Sequence, residues 1–326
     1  MLGSLIEFDR MVATDQDCYD FIYKLKWPAG FRCPRCDHSF AYTISTRNLP
    51  LYECRDCKHQ TTLTTGTMFN KSRTSLRKWL QALFVVSSTE ESINAVQLAD
   101  MIQVTYKTAW TMLNKIRMMI SEYDRSHLLT GFVEAKLEVY MKQPLPTVDS
   151  LDKEQALIAA SSTRPIQAPY FKIKLVKENQ NPRQKLDPSV ETGFVKEHVS
   201  PDLLQLTINR HCVNLPQSQD VMSQLAQSAF HWLNRNFHGL SLKYSQAYLD
   251  EYCYRKNVVS NANRSSLVHL LTLCLAQEPP RSPVPNWSDH ELAAIKKIPV
   301  ERSRIDWSTR YSNWKPADSV RSRITF

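Results

Sequence analysis

No run of about 18 apolar residues occurs in this 326-residue chain, which argues against a membrane-spanning helix. The opening Met1-Leu-Gly-Ser-Leu-Ile-Glu-Phe-Asp9 lacks a basic segment ahead of an apolar one, so no signal peptide is expected. No internal repeat is visible, which excludes solenoids and arrays. Nothing suggests an oxidising compartment, and the eight cysteines fit a reducing cytosol. Acidic residues are the minority, 32 against 41 basic, for a net charge of +9. What is present is ordinary for a globular protein. Apolar content is 42%, enough for a buried core. The length accommodates about two or three domains of roughly 150 residues each.

The charge is unevenly distributed. Residues 1–130 hold 16 basic and 13 acidic residues, residues 131–250 hold 13 and 12, and residues 251–326 hold 12 and 7. Within the first part, Arg55 to Lys78 carries six basic residues against Asp56 alone. That local cluster points to a polyanionic partner more clearly than the total does. A solvated basic face is the plainer alternative.

Four cysteines organise the chain. Cys33-Pro-Arg-Cys36 is followed after seventeen residues by Cys54-Arg-Asp-Cys57. Each pair supplies two thiolates from one tight turn, and two such turns satisfy a tetrahedral Zn²⁺. Between them, Phe40, Tyr42 and Ile44 alternate, Asn48-Leu-Pro turns, and Leu51-Tyr52 returns, as in a zinc ribbon. A segment this short depends on structural zinc for its folding energy. Two disulfides, or a redox pair, are the alternatives; the reducing context disfavours the first, and one C-x-x-C would suffice for the second. Cys18, Cys212, Cys253 and Cys274 are scattered and read as small core residues.

Residues 14–26 read as a short amphipathic helix capped by Asp15 or Asp17, with Cys18, Phe21, Ile22 and Leu25 on one face. Residues 59–69 read as β-rich with a turn at Gly66. Thr74 or Ser75 caps a helix whose stripe is Leu76, Trp79, Leu80, Leu83 and Phe84. Residues 92–121 read as a helix-turn-helix: Ala95 to Ile102, a turn at Gln103-Val104 without glycine, then a helix capped by Thr105. Tyr106, Lys107 and Thr108 stand at the end that reaches base edges in a major groove. With Arg73, Arg77 and Lys78 they form the expected DNA-binding set. A plain helical hairpin has the same pattern. Residues 131–145, 171–176 and 203–208 have strand character. Residues 146–168 read as irregular apart from an apolar patch at Ala156 to Ala160, and 178–190 as loop. Residues 219–236, 241–257 and 264–276 read as helices, and the stretch from Glu278 as an extended tail.

These motifs resemble the zinc-ribbon transposases of bacterial insertion sequences. The resemblance rests on the C-P-R-C and Y-E-C-R-D-C knuckles, Thr65-Gly-Thr-Met-Phe69 and Leu76-x-x-Trp79. It continues through Gln97-Leu-Ala and Lys107-Thr-Ala-Trp-x-Met-Leu-x-Lys-Ile-Arg117. It returns at Phe237-His-Gly-Leu-Ser and Tyr248-Leu-Asp-Glu-Tyr-Cys-Tyr-Arg255-x-Asn257. The resemblance implies a multidomain α/β protein. Its parts would be an N-terminal helix and zinc ribbon (1–70), a helix-turn-helix region (71–128), an RNase H-like α/β core with a helical C-terminal part (129–277) and a basic tail (278–326).

Such a core cuts and joins DNA with two Mg²⁺ held by carboxylates about 4 Å apart. The three positions the resemblance assigns to metal ligands hold Lys136, Ile208 and Ser228 instead. The expectation is therefore a double-stranded-DNA-binding, transposase-related protein that is catalytically inactive, whether domesticated or accessory. Mg²⁺ would matter only to an active core. The resemblance places such a protein in a bacterial cytoplasm, at the nucleoid when bound to DNA, away from membranes, and leaves a homo-oligomer open. Three alternatives stay open: an active transposase with a site rearranged around Glu134 or Glu138, a protein-interaction scaffold built on the ribbon, and a decaying gene product without a role.

Overall fold

The computed structural model describes residues 2–45, 49–88, 92–140, 155–165, 168–176, 185–211, 220–237, 240, 242–259 and 266–276. All fall within one unit, Met1–Pro280. The expected tail from residue 278, the prolines at 144 and 146, and Cys212 lie outside the described residues.

Two helices precede the ribbon. The first, α1 (Leu2–Met11), was not anticipated from the sequence. Its Leu5 and Phe8, with Val12 just beyond it, follow helical spacing and are buried, and Phe8 stacks on Phe84 at 4.5 Å. The second, α2 (Asp15–Lys26), opens with a capping box. The cap is Thr14, whose hydroxyl accepts from the Asp17 amide at 3.1 Å, while the Asp17 carboxylate accepts from the Thr14 amide at 2.8 Å. The ribbon is an antiparallel sheet of β1 (Ala41–Ile44), β2 (Leu51–Cys54) and β3 (Gln60–Thr62), with β2 central. An aromatic cluster of Tyr23, Trp27, Phe31 and Tyr52 welds α2 to it. The Lys26 ammonium donates to the carbonyls of Thr62, Leu63 and Thr65 at 3.1, 3.0 and 2.7 Å.

Three helices follow. Of the apolar stripe expected on α3 (Leu76–Ser88), Leu76, Trp79, Leu80 and Leu83 are buried and Phe84 is half-buried, and the Trp79 indole donates to Ser72 at 2.9 Å. A second capping box, Asn94 with Gln97, starts α4 (Ala95–Ile102). Thr105 caps α5 (Tyr106–Ser126), which runs about a turn past the expected end at Ser121. Between them Gln103 takes the left-handed conformation, φ 53°, that glycine more often fills. Its side chain donates to the Asp100 carbonyl at 2.6 Å, one local compensation for that conformation.

The second sheet comprises β4 (Leu129–Tyr140), β5 (Gln155–Thr163), β6 (Tyr170–Leu175) and β7 (Val199–Asn209), in the order β6-β5-β4-β7. The β4–β5 and β5–β6 pairs are antiparallel. The chain crosses through α6 (Pro188–His198) and returns as β7, parallel to β4. One apolar cluster joins Val133, Ala135, Leu137 and Ile158 to Phe194 of α6. A second joins Leu157, Ala159 and Ile173 to α7 (Val221–Asn236) and α8 (Leu242–Val259). The irregular reading of residues 155–163 is thus corrected. This segment is an inner strand buried almost throughout, so it shows an unbroken apolar run instead of alternation. The start of α6 likewise replaces the end of the expected loop.

The outer edge of β6 is covered by α8. Asn257 accepts from the Phe171 amide at 2.8 Å and donates to its carbonyl at 2.9 Å. Gln246 accepts from the Leu175 amide and donates to the Ile173 carbonyl. Side chains three helical turns apart thus stand in for a missing strand. The last described helix, α9 (Ser266–Ala276), departs from the expected segmentation. It packs with the N-terminal helices rather than the second sheet, and its Cys274 carbonyl accepts from the Met68 amide at 3.1 Å.

Candidate functional site

The four cysteines of the ribbon converge. Their sulfur atoms all lie within 4.8 Å of one another. The Cys33–Cys57 and Cys36–Cys54 separations are 3.6 Å, and Cys36–Cys57 is 3.3 Å. A tetrahedral site with Zn–S bonds of about 2.3 Å needs sulfur separations of about 3.8 Å, so the donor set fits zinc. The two knuckles are built alike. In one, the Asp37 amide donates to the Cys33 carbonyl at 2.9 Å and the Cys33 amide to the His38 carbonyl at 3.0 Å. In the other, Lys58 donates to Cys54 at 3.2 Å and Cys54 to His59 at 2.9 Å. Asp37 and Lys58 both have left-handed backbones, φ 58° and 57°. Burial opposes ionisation of Cys33, yet the amides of Arg35 and Cys36 and the neighbouring thiols draw its pKa to about 7. At Cys36 the His38 amide favours the thiolate, but the neighbouring thiols and burial together outweigh it and push the pKa up to about 12. Four thiolates cannot share this space without a cation, and a bound Zn²⁺ supplies it, serving as a structural tie.

Tyr106 and Lys107 are exposed at the start of α5, and Thr108 is half-buried beside the Thr105 cap. Arg73 is exposed ahead of α3. Arg77 is half-buried, and the Lys78 ammonium donates to the Ile102 carbonyl at 2.5 Å, closing the end of α4. Of the six residues expected to meet DNA, Arg73, Tyr106 and Lys107 are therefore exposed, while Lys78 also has a structural duty.

The second sheet holds a buried charged cluster. The Lys136 ammonium lies 3.1 Å from Glu138 and 2.8 Å from Asp220, and donates to the Ser223 hydroxyl at 2.5 Å. Ser223 in turn donates to Glu138 at 2.5 Å. Lys136 and Glu138 share a strand face by the period-two alternation, and α7 covers it with the Asp220 cap and Ser223. The Lys136 side chain is only 6% exposed. Burial works against its charge, but bonds to Asp220 and Glu138 outweigh that and raise its pKa. Burial likewise opposes the Asp220 carboxylate, and Lys136 prevails to hold its pKa below the usual value.

The register relocates the neighbours expected for Lys136. Ile208 pairs with Ala135 and packs in the cluster on the α6 side, whereas Asn209 pairs with Lys136. Ser228 is exposed on α7, five residues beyond Ser223, or about 7.5 Å along the helix axis. Asn209 and Ser223 are the residues that sequence reasoning missed. Asp220 is among the core carboxylates the sequence offers, and its place as an acidic cap before an amphipathic run brings it beside Lys136. Glu134 is exposed on the same strand face as Lys136 and makes no contact in this cluster among the described residues.

The sequence blocks that carry the family resemblance meet inside the protein. Glu251 of α8 accepts from Arg117 of α5 at 2.7 Å, from Arg255 at 2.7 Å and from Ser92 at 3.3 Å. The Arg117 guanidinium also lies 3.9 Å from the Tyr248 ring centre. These residues join the α4–α5 pair to the second sheet's helices.

Among the described residues no helix is long and apolar enough to cross a membrane. Residues 13–60 match the family described as a transposase zinc-ribbon domain. Over 137 residues the chain is 32% identical to an uncharacterized protein in transposable element ISH50 of Halobacterium salinarum. That match covers 42% of this chain, and it spans about half, 45%, of the relative. No solved structure matches the chain. The helix α2 and the four-cysteine ribbon are thus similar to the zinc-ribbon module of transposases, and the chain is similar in part to a protein of a transposable element.

Proposed function

We propose that this chain is a DNA-binding relative of insertion-sequence transposases whose core does not carry out metal-dependent strand transfer. The observation that carries this reading is the Lys136 ammonium, buried within 3.1 Å of both Glu138 and Asp220. Two-metal transfer at phosphate needs carboxylates free to bind Mg²⁺. Here the two nearest carboxylates are neutralised by a tethered cation, which would also repel an incoming Mg²⁺ by about 8 kcal/mol at roughly 4 Å and an effective dielectric near 20. The residues present do not fit Mg²⁺.

An RNase H-like reading of the core is supported by the order β6-β5-β4-β7, with β4 parallel only to β7 and a helical crossover before β7. DNA binding is supported by the transposase-type ribbon, the tight α4–α5 turn, and the exposure of Arg73, Tyr106 and Lys107. The helix-turn-helix would set the start of α5 in a major groove, and Arg73 would neutralise phosphate.

A second reading, an active enzyme with a rearranged site, draws on Glu138 and Asp220 converging on one cation. It requires Lys136 to leave. The test is DNA affinity measured across a salt series, together with a nicking and strand-transfer assay in Mg²⁺ or Mn²⁺. The proposal expects affinity that falls steeply with salt and no metal-dependent nicking. Absence of DNA affinity at low salt, or nicking that Glu138→Gln abolishes, would overturn it.

A further inference from the structure

We propose that the outer face of the ribbon is a stacking site for unpaired nucleobases. This rests on the DNA-binding reading above and adds a distinct surface to it. The ribbon buries Phe31 and Tyr52 against α2 but leaves Phe40 and Tyr42 60% and 52% exposed. Two residues apart on extended chain, these rings share one face. They sit along β1, an outer strand of the ribbon sheet. Cations lie over both rings: the Arg55 guanidinium is 4.8 Å from the Tyr42 ring centre and 6.0 Å from that of Phe40, and the Lys58 ammonium is 5.7 Å from that of Tyr42. Arg55 and Lys58 are themselves exposed.

Two exposed rings beside two exposed cations match single-stranded nucleic acid: bases stack on the rings and phosphates follow the cations. A duplex keeps its bases stacked on one another and offers these rings nothing comparable. Glu53, opposite Tyr42 in the register and held by Gln60 at 2.8 Å, adds a negative boundary on the β2 side. The phosphate path therefore runs past Arg55 and Lys58. The occupant that fits is a short unpaired DNA segment, such as a frayed or melted end, rather than an acidic peptide, which would leave the ring faces unused.

The experiment compares the zinc-loaded full chain binding a blunt duplex with its binding to the same duplex carrying a single-stranded oligo-dT extension. Fluorescence anisotropy gives both affinities. The extension should tighten binding, and Phe40→Ala with Tyr42→Ala should weaken binding to the extended DNA by about tenfold while changing the blunt duplex by less than about twofold. Tyr42→Leu, which keeps apolar bulk without the ring, should lose the same preference. Zinc content confirms that each variant keeps the ribbon folded. If the blunt duplex binds but the extension adds nothing, or if the variants lose both DNAs equally, stacking is overturned while the DNA-binding reading stands. If variants bind both DNAs normally but lose an association between protein copies, the face is a protein contact and the proposal fails. If the unaltered chain binds neither DNA, both readings fail together.

Discussion

The Arg117 guanidinium donates to Glu251 at 2.7 Å with both side chains almost wholly shielded from solvent. Burial opposes the Glu251 charge, but Arg117 and Arg255 overcome it and hold its pKa low. This pair connects α5, at whose start the proposed DNA-reading residues lie, to α8, which guards the second sheet. A buried pair broken on one side leaves a charge unpaired. Glu251→Ala should therefore destabilise the protein by about 3–5 kcal/mol in chemical denaturation. Joint replacement of Glu251 and Arg117 by leucine should cost clearly less than the sum of the two single changes, because Arg117 and Glu251 then leave no charge behind and only Arg255 loses this carboxylate.

Asn257 has a role that its place in a family-like motif does not reveal. It occupies the donor and acceptor of Phe171 on the edge of β6. Asn257→Asp loses the donor and should cost about 1–3 kcal/mol. Hydrogen exchange should speed first at Phe171, with little change on β4. Unchanged protection of β6 would mean that the edge is held by other contacts.

Stability should fall with acid in a window set by His198. Burial, reinforced by Lys174 and Lys172, lowers its pKa from 6.5 to about 4. The unfolded chain thus binds a proton that the folded chain refuses between those values. The contribution is full above pH 6.5 and is lost as pH falls toward 4, on the order of 2–3 kcal/mol. His198→Phe should flatten the stability profile in that interval; an unchanged slope would assign the acid sensitivity to other groups.

The ribbon was legible because cysteine spacing is a local signal, and its four sulfurs converge as expected. The α3, α4 and α5 helices were legible from periodicity. The α4–α5 turn hid its geometry, since Gln103 takes a conformation that a glycine would have announced. The β5 strand was missed because an inner strand covered on both faces has no alternation. Helix α9 is apolar on most sides, so nothing local says that it returns to Met68. Lys136 was legible as an intruder at its position and Glu138 as its strand-face neighbour, but Asn209 and Ser223 were not. A one-residue difference in parallel register separates Ile208 from Asn209 and sends their side chains to opposite faces.

Removal of the structural metal should expose the ribbon's aromatic cluster. Chelation should release one Zn²⁺ per chain and shift the fluorescence of Trp27, which packs against Phe31 and Tyr52. Cys57→Ser should weaken zinc retention and lower the thermal midpoint by several degrees, since the metal supplies folding energy. Stoichiometric zinc in the Cys33→Ser, Cys57→Ser double variant would place the metal elsewhere.

The central claim is that Lys136 fills the cation position of the core. Mn²⁺ binding followed by electron paramagnetic resonance on the zinc-loaded full chain tests it most directly. The unaltered protein should hold no stoichiometric Mn²⁺, and Lys136→Ala, which frees Glu138 and Asp220, should gain a site that Asp220→Asn removes. Stoichiometric Mn²⁺ on the unaltered protein, lost on Glu138→Gln, would contradict the account and mark the core as a working metal site.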